Sequence, residues 1–482
     1  MGQFLFGYLT MSNNVLWDFT PCIFDFNPAT RRTFNTIASI LFPIMAAVGG
    51  AISWRISRHG KRKALLISSS ISLFGSFLLF IQSWYSLVIA RVITGFAFGI
   101  SNAVSPLFVY EIARAKYIEY FIVCFQVWQN IGFLSPLIFS FFLPMDKVPE
   151  FIDINYCLDL EEHEIIWREV YSVVPVAAAI QIIALLFVFR RENPLYVQHQ
   201  RSRAYSFPAS TEEVRGGSIV PKINSSFESQ QSFERSESLL EKDTWSNLWA
   251  KAEWRKVVAC VLIRSFQQLT GVNIVQNYAL SFFFNTELTV LNLRFLTFTG
   301  ALIMAFVAII FMKIFGRKTL FSYGLIILCF CSCILFQFTD QLTVENSRVP
   351  IWRTIPNFLS FIFILIFMFT FWFTLASTPL MYCSEVLTDK GMSIMVACHW
   401  TLNSFMRVLP SINMAIVDLF GVVTRFRTAN SIFLFIFSGM CMLGFICTTL
   451  YIKETKGKAR EEVTKDYETE MFQFEEPRIF ED

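Results

Sequence analysis

Apolar stretches of about 20 residues, bounded by charges and recurring along nearly the whole chain, leave few folds open. They fall near 1–21, 33–56, 64–83, 86–112, 119–143 and 169–189, and again near 257–283, 295–313, 319–337, 357–383, 393–417 and 429–452. Each is long enough to cross a hydrocarbon layer of about 30 Å as a helix, and within lipid only helices and closed barrels satisfy their own backbone polar groups. Twelve crossings of about 20 residues use roughly half of the chain, in keeping with a hydrophobic fraction of 54% over 482 residues. Charged residues make up only 16%, against about a quarter in a soluble domain, which excludes a water-soluble enzyme. A net charge of +3 offers no basic excess for nucleic acid.

The expectation is an all-α membrane protein whose twelve transmembrane helices form two six-helix bundles, over 1–197 and 257–452, with a tail over 453–482. Residues 198–256 include Ser206, Ser210, Ser225, Ser226, Ser229, Ser232, Ser236 and Ser238 among mixed charges, too polar to pack a core, and read as a cytoplasmic linker with room for short helices at its ends. Arg55, Arg58, Lys61, Arg62 and Lys63 follow the second stretch, and Lys313, Arg317 and Lys318 follow the eighth, so these loops are expected in the cytoplasm. The loop after the fifth stretch carries Asp146, Glu150, Asp153, Asp159, Glu161, Glu162 and Glu164 and fits the outside. Both termini are then cytoplasmic, with the plasma membrane as the default location. The first stretch lacks the basic start and cleavage site of a secretory signal and reads as a retained crossing. Most of the 11 cysteines lie in apolar runs and read as buried inert thiols, a Cys22–Cys157 pairing being the alternative outside the membrane.

The two halves echo each other. Gly60-Lys61-Arg62-Lys63 recurs as Gly316-Arg317-Lys318, and Glu111 and Glu385 each end a stretch shortly after a proline, Pro106 and Pro379. Six-plus-six repeats with a site at their interface are a transporter arrangement. Gln267, Gln268 and Asn273 lie on a helix interrupted by Thr270-Gly271, and neutral amides both donate to and accept from the hydroxyls of a polyol. The competing reading is that such amides hold helices together. Gly95 and Gly99 are expected to be close-packing positions.

Gln267-Gln268-Leu269-Thr270-Gly271-Val272-Asn273 is similar to a signature of the sugar porter family of the major facilitator superfamily. In the same order as in that family come Arg91-Val92-Ile93-Thr94-Gly95 with Gly99, Trp167-Arg168 with Pro175 and Gln181, Glu192-Asn193-Pro194, and Glu454-Thr455-Lys456-Gly457. The resemblance covers nearly the whole chain and implies the major facilitator fold. It also implies a hexose site formed by Gln126, Gln267, Gln268, Asn273, Trp400 and Asn403, with Trp400 over an apolar sugar face. It further implies an extracellular gate at Asn277 and Tyr278, and a cytoplasmic latch of Arg62, Glu111, Glu192, Arg317 and Glu385, in which Arg62 faces Glu385 and Arg317 faces Glu111. Arg58 and Lys63 read as topology signals.

Departures from the family pattern sharpen the reading. Proton-coupled members carry an Asp after Phe-Gly-Tyr in the first span, whereas Leu9 follows Phe6-Gly7-Tyr8 here and leaves Arg91 without that partner. Asp18, Glu111, Glu119, Glu385 and Asp418 all fall near span ends, away from where a proton relay needs a carboxylate. Ser57 and Lys313 stand where the family has acids, Leu380 replaces a Trp, and Ala301 stands near a family Asn. Arg264 and Arg407 are candidate cavity charges alongside Arg91, the alternative being that they bond backbone carbonyls or snorkel. The function expected is facilitative uniport of a hexose, glucose foremost, by alternating access, with no chemical step, cofactor or metal, and with a monomer sufficient. The alternatives are carriage of an anionic derivative such as a sugar phosphate, proton-coupled symport, and a nontransporting sugar sensor. The partners expected are the sugar and the lipid bilayer, not nucleic acid.

Overall fold

A computed structural model describes residues 1–16, 28–81, 83–113, 117–140, 165–189, 248–249, 251–275, 290–339, 355–420, 423–458 and 460–468. The first half comprises α1 (Gly2–Val15), α2 (Pro28–Ser57), α3 (Lys61–Phe77), α4 (Trp84–Ile112), α5 (Ile118–Ser140) and α6 (Ile165–Ile183). The second comprises α7 (Lys251–Leu269), α8 (Val290–Ile314), α9 (Arg317–Thr339), α10 (Ile355–Thr370), α11 (Thr378–Val386), α12 (Asp389–Phe420) and α13 (Val423–Tyr451), followed by the short α14 (Arg460–Glu468). Ten helical segments are long and apolar enough to cross a membrane among the described residues, and α1 and α12 complete the twelve-helix arrangement. Large apolar side chains such as Phe74, Phe77, Ile303, Ile310 and Phe330 remain exposed on the outer surface, where lipid rather than water is the solvent.

Packing follows the duplication. Within the first half α1 packs on α5, α3 on α6 and α2 on α4; within the second α7 packs on α12 and α9 on α13. The halves meet through α2 against α12 and α5 against α8, pairs that exchange under the six-helix repeat. The α2–α4 contact is backbone on backbone: a Cβ on Gly95 would meet the Phe42 carbonyl, and one on Gly99 the Ala46 carbonyl. Small residues permit that approach, as expected from the sequence. Gly99→Ala is expected to push the helices apart and cost about 1–3 kcal/mol. A lowered thermal midpoint of the detergent-solubilised protein is the readout, and an unchanged midpoint contradicts the packing argument.

The tenth crossing departs from the single helix expected over 357–383. After α10 the chain widens through a π-helical turn at Phe371–Leu375, where the Ala376 amide bonds the Phe371 carbonyl at 3.0 Å, before α11 begins at Thr378. Pro379 in the first turn of α11 explains the interruption, since it has no N–H to continue the ladder. The nine cysteines among the described residues are all free thiols. Cys22, Cys157, the acidic loop and nearly all of the linker lie outside the described residues.

Candidate functional site

Helix α7 ends where the sequence reading expected an interruption. Gly271 adopts φ 74°, a conformation that L side chains resist, and its amide bonds the Gln268 carbonyl at 3.2 Å before a further helical turn starts with Ile274 N–H to Gly271 O at 2.9 Å. The break places Gln267, Gln268 and Asn273 around a short irregular segment. Gln268 Oε1 accepts from Asn403 Nδ2 of α12 at 2.9 Å and from Asn273 Nδ2 at 3.4 Å. Asn403 Oδ1 in turn accepts from Arg407 Nε at 2.9 Å, and Gln267 Oε1 accepts from Arg264 Nη1 at 2.7 Å. Gln267, Gln268 and Asn403 are buried. In these bonds both arginines donate to side-chain amides, not to backbone carbonyls.

Trp400, one turn before Asn403 on α12, reaches the first half. Its ring meets Phe6 of α1 and Phe98 of α4 edge-on, each at 5.1 Å, and its Nε1 donates to Asn102 Oδ1 of α4 at 3.4 Å. Gln126 bonds Asn130 Oδ1 on its own helix α5 at 3.2 Å, and no described hydrogen bond joins it to the α7 amides. The structure therefore gathers Gln268, Asn273, Asn403 and Arg407 into one network, sets Gln267 with Arg264 beside it, and leaves Gln126 with Asn130. Asn102, Asn130, Phe6 and His399, whose Nδ1 lies 3.4 Å from the Arg264 carbonyl, were not assigned to the site from the sequence. Amides inside apolar stretches were the available signal for the first two. Asn277, Tyr278 and Glu192 lie outside the described residues.

At the basic-loop end two ionic clusters join the halves. Lys61, first residue of α3, pairs with Glu111 at the end of α4 and with Asp389 at the start of α12, the latter at 2.8 Å, and Ser57 Oγ donates to Asp389 at 3.2 Å. Arg317, first residue of α9, pairs with Glu385 at the end of α11 at 2.9 Å and with Glu119 at the start of α5 at 2.6 Å. Under the repeat Lys61 matches Arg317, Glu111 matches Glu385 and Asp389 matches Glu119. Each cation thus holds one acid of its own half and one of the other.

These partners correct the expected pairings. Arg62 does not face Glu385: its Nε donates to the Leu185 carbonyl at 3.0 Å, as Lys318 Nζ does to the Thr449 carbonyl at 2.9 Å. Arg317 does not face Glu111, which Lys61 holds. The physical reason is the turn of about 100° per residue: the first residue of α3 or α9 points to the interface, and the next points to the sixth or twelfth crossing. Lys313, at the position of a missing family acid, lies 4.2 Å over the Tyr120 ring of the first half.

The tail closes the same end. Arg460 donates to the carbonyls of Ser384, Glu385 and Leu387 at 2.9 Å each, satisfying the orphan acceptors at the C-terminus of α11. Thr455 Oγ1 donates to Glu385 at 2.5 Å. Tyr467 meets Tyr382 hydroxyl to hydroxyl at 2.6 Å, and burial pushes the Tyr467 phenol well above its ordinary range, so it stays protonated.

Twelve crossings in two pseudo-symmetric halves, with a buried polar network in the second half that Trp400 connects to the first and ionic clusters across one end, define a secondary transporter of the major facilitator superfamily. Residues 1–467 match the family described as "Sugar (and other) transporter", and the chain belongs to it. It is a multi-pass membrane transporter, not an enzyme. It is 24% identical over 478 residues to hexose transporter 1 of Plasmodium knowlesi, covering 95% of this chain and 89% of that protein. It is also 24% identical over 453 residues to solute carrier family 2, facilitated glucose transporter member 6, of Mus musculus, covering 90% and 82%. Among solved structures the proton:xylose symporter XylE bound to 6-bromo-6-deoxy-D-glucose superposes with a TM-score of 0.75 at 19% identity, covering 97% of each chain, a likeness of fold.

Proposed function

We propose that the chain carries a hexose, with glucose as the reference substrate, down its own gradient by alternating access. The observation that carries this reading is the amide network at the α7 break, linked through Trp400 to α1 and α4 of the other half. Amide N–H and C=O groups match hydroxyls, and the faces of Trp400, Phe6 and Phe98 match the C–H face of a pyranose. The Lys61 and Arg317 clusters act as the cytoplasmic latch: with them formed, the site is sealed on that side and opens only outward. A few such pairs supply the few kcal/mol that a reversible two-state equilibrium needs. A single chain contains both halves, so a monomer suffices. The basic loops support cytoplasmic termini, with the plasma membrane as the proposed location.

Relatives named as hexose transporters and a facilitated glucose transporter support the substrate. Purified protein in vesicles is expected to show saturable uptake of radiolabelled glucose and accelerated exchange when unlabelled glucose is preloaded. Binding without flux would instead indicate a sensor, and neither binding nor flux defeats the proposal.

Downhill transport is supported by Leu9, which stands where proton-coupled members of the family carry an Asp. Leu9, buried in α1, has no titratable group, and the described carboxylates of the crossing helices sit close to helix ends, away from the amide network. Acidifying the outside of loaded vesicles, with equal glucose on both sides, is expected to drive no accumulation. Accumulation that collapses with a protonophore would overturn uniport while leaving sugar transport intact.

A further inference from the structure

Two sets of cations on the crossing helices contrast in what they hold. Lys61 and Arg317 each hold two carboxylates. Arg91 of α4, Arg264 of α7 and Arg407 of α12 hold none among the described residues, although Arg91 is 5% exposed and Arg264 6%. Among the described residues Arg91 Nη2 and Arg264 Nε have no hydrogen-bond partner. Arg407 and Arg91 stand near enough to feel each other's charge, across the seam where α12 packs on α4. Two like charges on packed helices of opposite halves, with an unused donor on Arg91 and no carboxylate partner among the described residues, are costly to bury. A ligand that brings the counter-charge removes that cost.

The amides point the same way. Gln268 Oε1 already accepts two hydrogen bonds, from Asn403 and Asn273, while Asn403 Oδ1 accepts from Arg407 and Gln267 Oε1 from Arg264. Much of the acceptor capacity of the network is therefore taken up inside the protein. What remains for a ligand includes many N–H groups, amide NH2 hydrogens and guanidinium edges, alongside the side-chain oxygen of Asn273. A neutral hydroxyl uses donors and acceptors alike, whereas an anionic oxygen takes donors only. A guanidinium fork suits carboxylate and phosphate in particular.

Resting on the reading of the amide network as the sugar site, we propose that the preferred substrate is a hexose derivative bearing one anionic oxygen group, a carboxylate or a phosphate. The anion lies between Arg91 and Arg407, and the hydroxyls lie along Gln267, Gln268 and Asn273. Because one arginine comes from each half, the anion bridges the halves and neutralises the repulsion between them. The neutral parent hexose takes the same hydroxyl contacts without this bridge, so it binds the same site more weakly.

The test uses the full chain in phosphatidylcholine vesicles at low salt. Exchange of radiolabelled glucose is competed with glucose, glucuronate, glucose 6-phosphate and inorganic phosphate. Glucuronate or glucose 6-phosphate is expected to compete at least about tenfold more tightly than glucose, as a charge-assisted bidentate contact warrants. Which of the two is stronger identifies the anionic group. In the double variant Arg91→Gln, Arg407→Gln the ratio of anionic to neutral affinity is expected to fall to about one, whatever the absolute affinity for glucose. Glucose exchange on which neither anionic sugar competes better than glucose overturns this inference and leaves hexose transport standing. A preference that survives the double variant, or inorganic phosphate that competes as well as the sugar derivatives, also overturns it. Absence of exchange and of binding for every sugar overturns the hexose reading and this inference together. The wild-type competition decides the matter even where the double variant fails to fold.

Discussion

Arg317→Ala is expected to unlatch the basic-loop end. The guanidinium is 4% exposed and lies between Glu119, from the first half, and Glu385, from the second. Without it the two carboxylates face each other with no cation between them, and Glu385 retains Thr455 as its donor. Breaking a fully buried pair costs about 3–5 kcal/mol. Glu119 is 24% exposed and water relieves part of the loss, so about 2–3 kcal/mol is expected, a shift of some 30–150-fold toward the state open on that side. Amide hydrogen exchange at the starts of α5 and α9 should rise, while exchange in the middle of α4 stays low. Adding Glu119→Gln removes one of the stranded charges and is expected to return part of the closed population. Unchanged exchange in Arg317→Ala would mean that the cluster is incidental to closure.

Gln268→Ala is expected to weaken sugar binding by about 10–100-fold, or roughly 1.4–2.8 kcal/mol. Its side-chain oxygen is the common acceptor for Asn403 and Asn273, so its loss disorients two other amides as well as removing its own contacts. The network lies beside the α7 break and outside the α2–α4 and α1–α5 contacts, so the folded yield is expected to change little. Quenching of tryptophan fluorescence on glucose binding, with Trp400 close to the network, gives the affinity. Size-exclusion chromatography gives the folded fraction. A loss of folded protein matching the loss of binding would show that the amides serve to hold helices together.

Much of the fold was legible in the sequence because its signals are local. A run of about 20 apolar residues must cross as a helix wherever it lies. Gly271 breaks α7 through its own backbone freedom, and Gly99 marks a close approach through the absence of a side chain. The duplication was visible because Gly60-Lys61 and Gly316-Arg317 each start a helix at the same place in their half. The interruption of the tenth crossing was foreshadowed by Pro379, but a proline alone did not distinguish a kinked helix from one divided by a π-turn.

The candidate site was legible only as a set of residues. Gln267, Gln268 and Asn273 were identified as amides around an expected helix break, and Trp400 and Asn403 through the resemblance to the sugar porter family, yet the bonds that tie them to Arg264, Arg407 and Asn102 were not. Nor was the choice of Lys61 over Arg62 as the cation that bridges the halves.

What the sequence determined by itself was the number of crossings, their repeat and the break that ends α7 at Gly271, since each depends on residues within a turn or two of one another. What only the tertiary structure decided was which cation meets which acid and which amide oxygen is already taken. Those outcomes depend on how each helix is rotated about its axis, and one residue of difference turns a side chain by about 100°. That rotation is set by packing against partners such as α12 for α2, hundreds of residues away along the chain, so no local pattern encodes it.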